Sequence, residues 1–315
     1  MQTTDVNDLR RAWREANVSP LWESVLAHGG KRPVERAHHW PWRAMKPLID
    51  DALALKGMDV IERRVLSLIN PDPRLAAGTS TVTNLNGGLQ ILAPGETARP
   101  HRHSMNALRF VLSGHGATTV VDGKRCPMAE GDLVLTPGWT WHEHEHAGGE
   151  PIVWLDVLDA QLHRYLGTDA FEPGPAHDVP DASRETYSFP WADAVAGLAR
   201  TERGRDGAKH YRYVNPKTGG PVMPLLDCYA IEIAAGAQTV PVRTTSHAVC
   251  AVMEGSGTSR IGEDTISWEP RDVFSLPDGN WTSHQADGGV ARLFVCTDRE
   301  ILRRLDLLSE EYQAP

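Results

Sequence analysis

An internal repeat limits the possible folds of this chain more than any other feature. A numbering offset of 141 places Gly95 on Gly236, and an offset of 140 places Asp132 on Asp272. Turn residues that recur at matched spacing, with a slip of a single position, are difficult to obtain by chance. The sequence therefore predicts two copies of one structural module.

Both copies show a sequence pattern that is typical of short strands separated by turns. LRFVLSGHG and DLVLTPG in the first copy correspond to AVCAVMEGSG and DVFSLPDG in the second, and the chain contains 28 Gly and 22 Pro. Short strands at close, even spacing are typical of a sandwich or a small barrel. Helical stripes occur near the chain ends, at Leu9, Trp13 and Ala16, and at Ile301, Leu302, Leu305 and Leu308 after a candidate N-cap at Asp298. We predict an all-β fold with N-terminal and C-terminal helices.

Changes in the sequence pattern and in composition along the chain suggest five segments. They are an N-terminal helical arm (1–78), a first β module (79–163), a connector rich in Pro, Gly and charge (164–222), a second β module (223–298) and a C-terminal helix (299–315). A short helix is expected within the connector, near 190–198.

Charge and composition exclude several classes of protein. Lys and Arg total 32 against 41 Asp and Glu, a net charge of −9, which argues against a nucleic-acid binder. The polar N-terminus does not resemble a signal peptide, and no apolar run approaches the ~18 residues of a membrane span. The four cysteines form no CxxC pair and are expected to be reduced. A soluble cytoplasmic protein with a small-molecule partner is expected.

A histidine pattern in the first module predicts a metal site. His101 and His103 are two residues apart on a predicted strand and therefore point to the same face. His142, on a later strand, can supply a third ligand and leave coordination positions open for chemistry. HxH alone is a weak signal, and a barrel whose histidines bind no metal is the alternative. The flanking glycines and a distant GxxxxxPxxxxH make the metal site the stronger interpretation.

Further polar residues are expected to face the same cavity. Arg109 lies an even number of residues after His101 and is therefore expected to point to the same face of the strand. Its guanidinium would bind a carboxylate of a ligand, unless it pairs with an Asp or Glu of the protein itself. Gln90 could supply an amide, although a structural role fits it equally well. His144 shares the face of His142 and could donate or accept a proton. His146 lies near a Gly-Gly turn and is expected to be solvated.

The second module lacks this chemistry. Val242 and Thr244 occupy the two HxH positions, and His284 remains near the later motif. We expect this barrel to be filled by its own side chains. A second metal held by His247 and His284 is the less favoured alternative.

The double motif resembles the cupin superfamily, with two departures. Trp139 stands where a glycine usually follows the proline, and Ala107 stands at the usual glutamate position, which implies three neutral histidine ligands. The stretches ERRVLSLINP, GGLQILAPGETARPHRH, ALRFVLSGHGATTVVDG and GDLVLTPGWTWHEH resemble the gentisate 1,2-dioxygenase family of bicupins. That family includes salicylate, 5-nitrosalicylate and 1-hydroxy-2-naphthoate dioxygenases.

The resemblance implies roles for individual residues. His101, His103 and His142 would bind Fe(II), and Arg109, Gln90 and His144 match substrate-pocket positions, with Arg109 and His144 as the catalytic candidates. One arginine of the Arg63-Arg64 pair belongs to that pocket, and Arg64 is preferred. Asp156 is expected to support the site residues from behind or to be structural, rather than to be catalytic. The family also implies two jelly-roll barrels and a homotetramer.

The expected function is oxidative ring cleavage of an extradiol type. An aromatic 2-hydroxy acid, gentisate or a salicylate, would be opened by O2 between its carboxyl-bearing and hydroxyl-bearing carbons. Substituted salicylates such as the 5-nitro compound, and 1-hydroxy-2-naphthoate, are alternative substrates. A bicupin that binds a metal and an aromatic acid without turnover is an alternative of another class. A Mn or Zn isomerase or decarboxylase fits less well because Ala107 replaces the glutamate.

Overall fold

The computed structural model describes residues 5–23, 34–55, 63–75, 80–174 and 186–314. The expected boundary between 78 and 79 lies outside these residues. Residues 1–34 form one compact unit and residues 35–315 another. In the first unit, helix α1 (Val6–Glu15) begins at Asp5, whose carboxylate accepts the backbone N–H of Asn7. A short 3-10 turn (Leu21–Glu23) follows α1.

The second unit consists mostly of strands. Those of its N-terminal half are β1 (His39–Trp40), β2 (Val65–Leu68), β3 (Asn86–Leu92), β4 (Thr97–His103), β5 (Ala107–Ser113), β6 (His115–Val121), β7 (Lys124–Ala129), β8 (Leu133–Thr136), β9 (His142–His146), β10 (Ile152–Leu158), β11 (Phe171–Pro173) and β12 (Ser188–Phe189). Those of its C-terminal half are β13 (Lys209–Arg212), β14 (Asp227–Ile233), β15 (Val242–Thr244), β16 (Ala248–Glu254), β17 (Gly257–Ile261), β18 (Asp264–Trp268), β19 (Val273–Leu276), β20 (Thr282–Ala286), β21 (Ala291–Thr297) and β22 (Glu310–Tyr312). The helices are α2 (Trp42–Ala54), α3 (Ala160–Leu166), α4 (Trp191–Arg200) and α5 (Arg299–Arg304).

The described residues form four sheets, two in each copy of the repeat. The first module contains the orders β12-β8-β5-β10-β3-β2 and β11-β4-β9-β6-β7, and the second contains β1-β19-β16-β21-β14-β13 and β18-β17-β20-β15-β22. The inner strands follow the same order in both modules. The first residues of β3 and β5 match those of β14 and β16 at the offset of 141, and those of β8 and β9 match β19 and β20 at the offset of 140. The all-β prediction is confirmed.

The chain ends differ from the sequence pattern. Helix α5 ends at Arg304 and Asp306 has a left-handed φ of 59°, so the C-terminal helix is shorter than 299–315. Residues 310–312 instead form β22, because they can pair with the exposed edge of β15. Asp298 does precede α5, but its side chain does not cap the helix. It accepts hydrogen bonds from the backbone N–H of His247 and the amide of Asn84.

Strand alternation divides each large sheet into two faces. On one face Phe110 stacks against Phe294, with ring centroids 3.9 Å apart, in the apolar cluster where the two modules meet. On the other face Val111 and Trp154 form a smaller cluster between the two sheets of the first module. Arg109 shares this inner face, because it lies two residues before Val111. In the part of the chain described, no helix combines the length and hydrophobicity needed to cross a membrane.

Candidate active site

Two neighbouring strands bring three histidines together. His101 and His103 lie on β4, and His142 on β9 is the register partner of His101. One ring nitrogen from each lies within 4.8 Å of the others, and all three side chains are buried. The three residues predicted as metal ligands therefore converge on one point.

Each of these rings is oriented by a backbone carbonyl two residues away. The Nδ1 atoms donate to the carbonyls of Arg99, Met105 and Thr140 at 2.9, 2.8 and 3.0 Å. Because a carbonyl only accepts, Nδ1 carries the proton and Nε2 presents a lone pair. Among the described residues, the buried Nε2 of His142 has no hydrogen-bond partner.

Burial keeps the triad neutral. It lowers the pKa of His101 to about 3 and the pKa of His103 to about 4, and it lowers the pKa of His142 well below the usual range. A neutral imidazole is the form that binds a metal, so this donor set fits a divalent transition metal without any prior loss of protons.

Arg109 lies in the wall beside the triad. It is 3% exposed, and its guanidinium donates to Thr136 Oγ1 at 2.7 Å and to His144 Nε2 at 3.2 Å. Its Nε lies 3.7 Å from Asp156 Oδ1. Burial raises the pKa of Asp156 to about 6, although Arg109 acts in the opposite direction. The carboxyl group also accepts a hydrogen bond from Trp154 Nε1.

His144 lies behind Arg109 rather than at the cavity surface. Because Arg109 donates to Nε2, the ring proton is on Nδ1, which donates to Thr119 Oγ1 at 2.9 Å. Both ring nitrogens are therefore engaged. Burial lowers the pKa of His144 well below the usual range, so the ring is neutral. His146, expected to be solvated, is 3% exposed and its Nε2 donates to the Glu150 carbonyl.

The structure places Arg63, and not the preferred Arg64, in the cavity. Arg64 is 3% exposed and forms two hydrogen bonds with Glu96, at 2.6 and 2.9 Å. The sequence could not show that Glu96, in the turn before β4, is within reach of Arg64. Arg63 instead donates to His101 Nε2 at 2.6 Å and lies over the ring of Phe171.

Two histidines of the triad, His101 and His103, line a cavity of about 220 Å³, and His142 is buried beside them. Its walls include Arg63, Asn86, Gly88, Gln90, His101, His103, Ala107, Arg109 and Asp156. The buried Nε2 of Gln90 has no partner among the described residues, which makes it a donor for a bound molecule. Sequence reasoning preferred Arg64 to Arg63 and did not place Asp156 in the cavity wall, because the sequence pattern does not show which residues line a cavity.

The corresponding part of the second module is not filled, contrary to expectation. It contains a cavity of about 340 Å³, which His284 lines and His247 does not. Burial alone would lower the pKa of His247, but the carboxylates of Asp278, Asp298 and Glu35, which lie 3.1–3.5 Å from its ring nitrogens, outweigh this effect and raise the pKa well above its ordinary value. His247 and His284 therefore do not share one site, and in the absence of a bound ion the His247 cluster is an ion-pair centre.

Comparisons with known proteins agree with this geometry. Residues 88–158 match the cupin domain family. The chain is 34% identical to the 1-hydroxy-2-naphthoate 1,2-dioxygenase of Nocardioides sp. strain KP7, over 92% of this chain and 82% of that protein. It is 35% identical to a gentisate 1,2-dioxygenase of Ralstonia sp., over 86% of this chain and 83% of that protein.

A solved structure gives the same result. The salicylate 1,2-dioxygenase of Pseudoaminobacter salicylatoxidans, crystallised as an adduct with gentisate, superposes with a TM-score of 0.90. The match covers 100% of this chain and 96% of that one at 28% identity. The chain therefore belongs to the gentisate 1,2-dioxygenase family of ring-cleaving dioxygenases.

Proposed function

We propose that this chain is an Fe(II)-dependent bicupin that opens an aromatic 2-hydroxy acid with O2, between the carboxyl-bearing and hydroxyl-bearing carbons, in an extradiol-type reaction. One observation supports this most directly. Three neutral imidazoles converge on one point, and two of them, His101 and His103, line a cavity of about 220 Å³ together with Arg63 and Arg109. Such a cavity suits a chelating, anionic ligand.

His101, His103 and His142 would hold the iron. A bound Fe(II) would supply a redox-active Lewis acid with open coordination positions. Three neutral ligands leave the double positive charge of the ion uncompensated, which favours an anionic substrate over a neutral one.

The two arginines would bind the substrate carboxylate. Arg63 donates to the same His101 nitrogen that a metal would take, so metal binding requires this hydrogen bond to be replaced. A carboxylate is the stronger acceptor for a guanidinium, and the charge-assisted contact would fix the ring in the cavity. Arg109 is held in place on three sides, by Thr136, His144 and Asp156.

The remaining polar residues would orient and isolate the substrate. Gln90 Nε2 would donate to a substrate oxygen, since it has no other partner among the described residues. His144 would position Arg109 and would not transfer a proton itself, because its Nε2 lone pair is occupied. Asp156, with a pKa of about 6, could accept the proton released when the substrate hydroxyl binds.

The substrate is expected to be gentisate, a salicylate or 1-hydroxy-2-naphthoate. The deciding experiment is an oxygen-consumption panel with anaerobically Fe(II)-loaded enzyme, comparing kcat/KM across these acids. We expect one O2 to be consumed for each ring opened. Tight binding of the acids without oxygen uptake would instead support a non-catalytic binding protein.

The wider organisation is also part of the proposal. The matched sheet orders support two cupin modules, 79–163 and 223–298, between the arm (1–78), the connector (164–222) and the C-terminal segment (299–315). The family resemblance supports a homotetramer. The four cysteines are buried and free, which supports a reducing compartment such as the cytoplasm.

A further inference from the structure

The cavity of the second module occupies the place that the active site occupies in the first. The strand register shows that the two cavities are equivalent. Arg109 is paired with Asp156 between β5 and β10, and Cys250 is paired with Val295 between the equivalent strands β16 and β21. The second cavity is the larger of the two, at about 340 Å³ against about 220 Å³. A cavity of this size at a repeated position is a candidate binding site.

The second cavity has lost the charged and metal-binding groups of the first. Ile231 replaces Gln90, and the register partners Cys250 and Val295 replace the Arg109–Asp156 ion pair. The three metal-ligand positions are taken by Val242, Thr244 and Thr282. At these positions the walls therefore offer neither a metal triad nor a counter-charge for a buried carboxylate, whose burial without one is costly.

One polar residue is retained together with its hydroxyl partner. His284 pairs with Ser259 across β20 and β17, as His144 pairs with Thr119 across β9 and β6. The Nδ1 of His284 lies 2.7 Å from Ser259 Oγ. Ser259 Oγ also accepts the indole N–H of Trp268 at 2.8 Å.

These contacts fix the tautomer of His284. The indole N–H can only donate, so the hydroxyl proton of the fully buried Ser259 has His284 Nδ1 as its acceptor. The ring proton is then on Nε2, the opposite of His144. Cys250 replaces the arginine that covers Nε2 in the first module, and the described residues make no hydrogen bond to that atom.

The charged side chains around the cavity already have partners. Asp206 pairs with His210 at 2.9 Å, and Arg299 pairs with Glu310 at 2.9 Å. Arg205 is exposed and stacks on the ring of Tyr312. Apart from these paired groups and hydroxyl side chains such as that of Thr282, the interior offers mainly apolar walls and the ring N–H of His284.

We propose that the second module binds an uncharged aromatic molecule through one oxygen that accepts a hydrogen bond from His284 Nε2. An apolar cavity on the order of 150 Å³ accommodates benzene. The second cavity, at about 340 Å³, therefore suits a ligand of two fused rings. Its chemistry differs from that of the active-site substrate by the absence of the carboxylate.

Two equivalent alanines provide the test. Ala107 and Ala248 begin the equivalent strands β5 and β16, and each lines its own cavity, so a phenylalanine would fill one cavity and spare the other. The probes are 2-naphthol and 2-naphthoate, titrated calorimetrically into the full-length protein. We expect A248F to abolish 2-naphthol binding and to leave 2-naphthoate binding and ring cleavage unchanged. A107F should leave 2-naphthol binding intact and abolish ring cleavage.

Other outcomes would overturn the proposal. These are wild-type protein that does not bind 2-naphthol, binding that survives A248F, and binding that is lost in A107F. His284→Leu removes the Nε2–H donor and keeps most of the side-chain volume. This variant therefore tests whether 2-naphthol binds in the second cavity if A248F does not fold. We expect this variant to retain normal ring cleavage and to bind 2-naphthol about 10-fold more weakly. Unchanged affinity would refute the role of His284.

Discussion

Replacing Arg109 with methionine should separate the binding role of this residue from its structural role. Arg109 is 3% exposed and is the charged partner of the buried Asp156. Methionine keeps much of the side-chain volume and removes the guanidinium. The variant therefore lacks one of the two arginines proposed to bind substrate, and it leaves a carboxyl group buried without its counter-charge.

The size of each effect follows from the contacts. Breaking a buried ion pair from one side costs about 3–5 kcal/mol of folding free energy. We expect the lower end, because the pKa of Asp156 is already raised to about 6, so without Arg109 the carboxyl group can become neutral at pH 7. A charge-assisted hydrogen bond to the substrate contributes about 1.5–3 kcal/mol. Its loss should lower kcat/KM by about 10- to 150-fold.

The double variant R109M/D156N distinguishes the two roles. The amide that D156N introduces could still accept the Trp154 indole N–H, and no unpaired carboxyl group would remain. Urea denaturation should show most of the lost stability restored, by roughly 2 kcal/mol relative to R109M. An oxygen electrode should show that kcat/KM is not restored. Recovery of catalysis, or a double variant as unstable as R109M, would refute this account.

Three further predictions follow from the same structure. H101A should lose both iron, measured by plasma emission spectroscopy, and turnover; retained activity would exclude His101 as a ligand. R63A should raise KM at least 10-fold with little change in the melting temperature, whereas R64A should lower the melting temperature by breaking the Glu96 pair and change KM little. A raised KM in R64A together with a lowered melting temperature in R63A would instead place Arg64 in the pocket. His247 has a folded pKa well above its unfolded value of about 6.5, so its stabilising contribution is complete below that pH and is lost as pH rises through the folded pKa. Urea midpoints between pH 6 and 9 should therefore fall more steeply in the wild type than in H247Q, and equal slopes would contradict the assignment.

Strand periodicity was sufficient to predict much of the site. Residues two apart on a strand share a face, which places His101 with His103 and makes Arg109 point inward. The two repeat offsets likewise indicated two equivalent sets of strands. These predictions depend only on local backbone geometry, which the pattern of apolar and turn residues encodes directly.

Features that depend on distant partners could not be predicted in this way. Arg63 and Arg64 precede β2 in irregular backbone, where side chains do not alternate between two faces. Which of the two faces the cavity depends on Glu96, which binds Arg64. Strand β22, near the end of the chain, pairs with β15, which lies seven strands earlier in the second module. The second cavity was also missed, because a sequence shows which side chains point inward but not whether they meet.

The geometry also separates metal ligands from other inward histidines that the sequence cannot distinguish. His142 and His144 share one face of β9, yet only His142 has its Nδ1 against a backbone carbonyl, which leaves Nε2 as a ligand. The Nε2 of His144 accepts from Arg109, and the Nε2 of His284 bears the proton. Because the neighbours of Nδ1 and Nε2 determine the tautomer, they also determine whether an imidazole can bind a metal, support an arginine or donate to a ligand. A histidine motif therefore specifies a site only together with these neighbours.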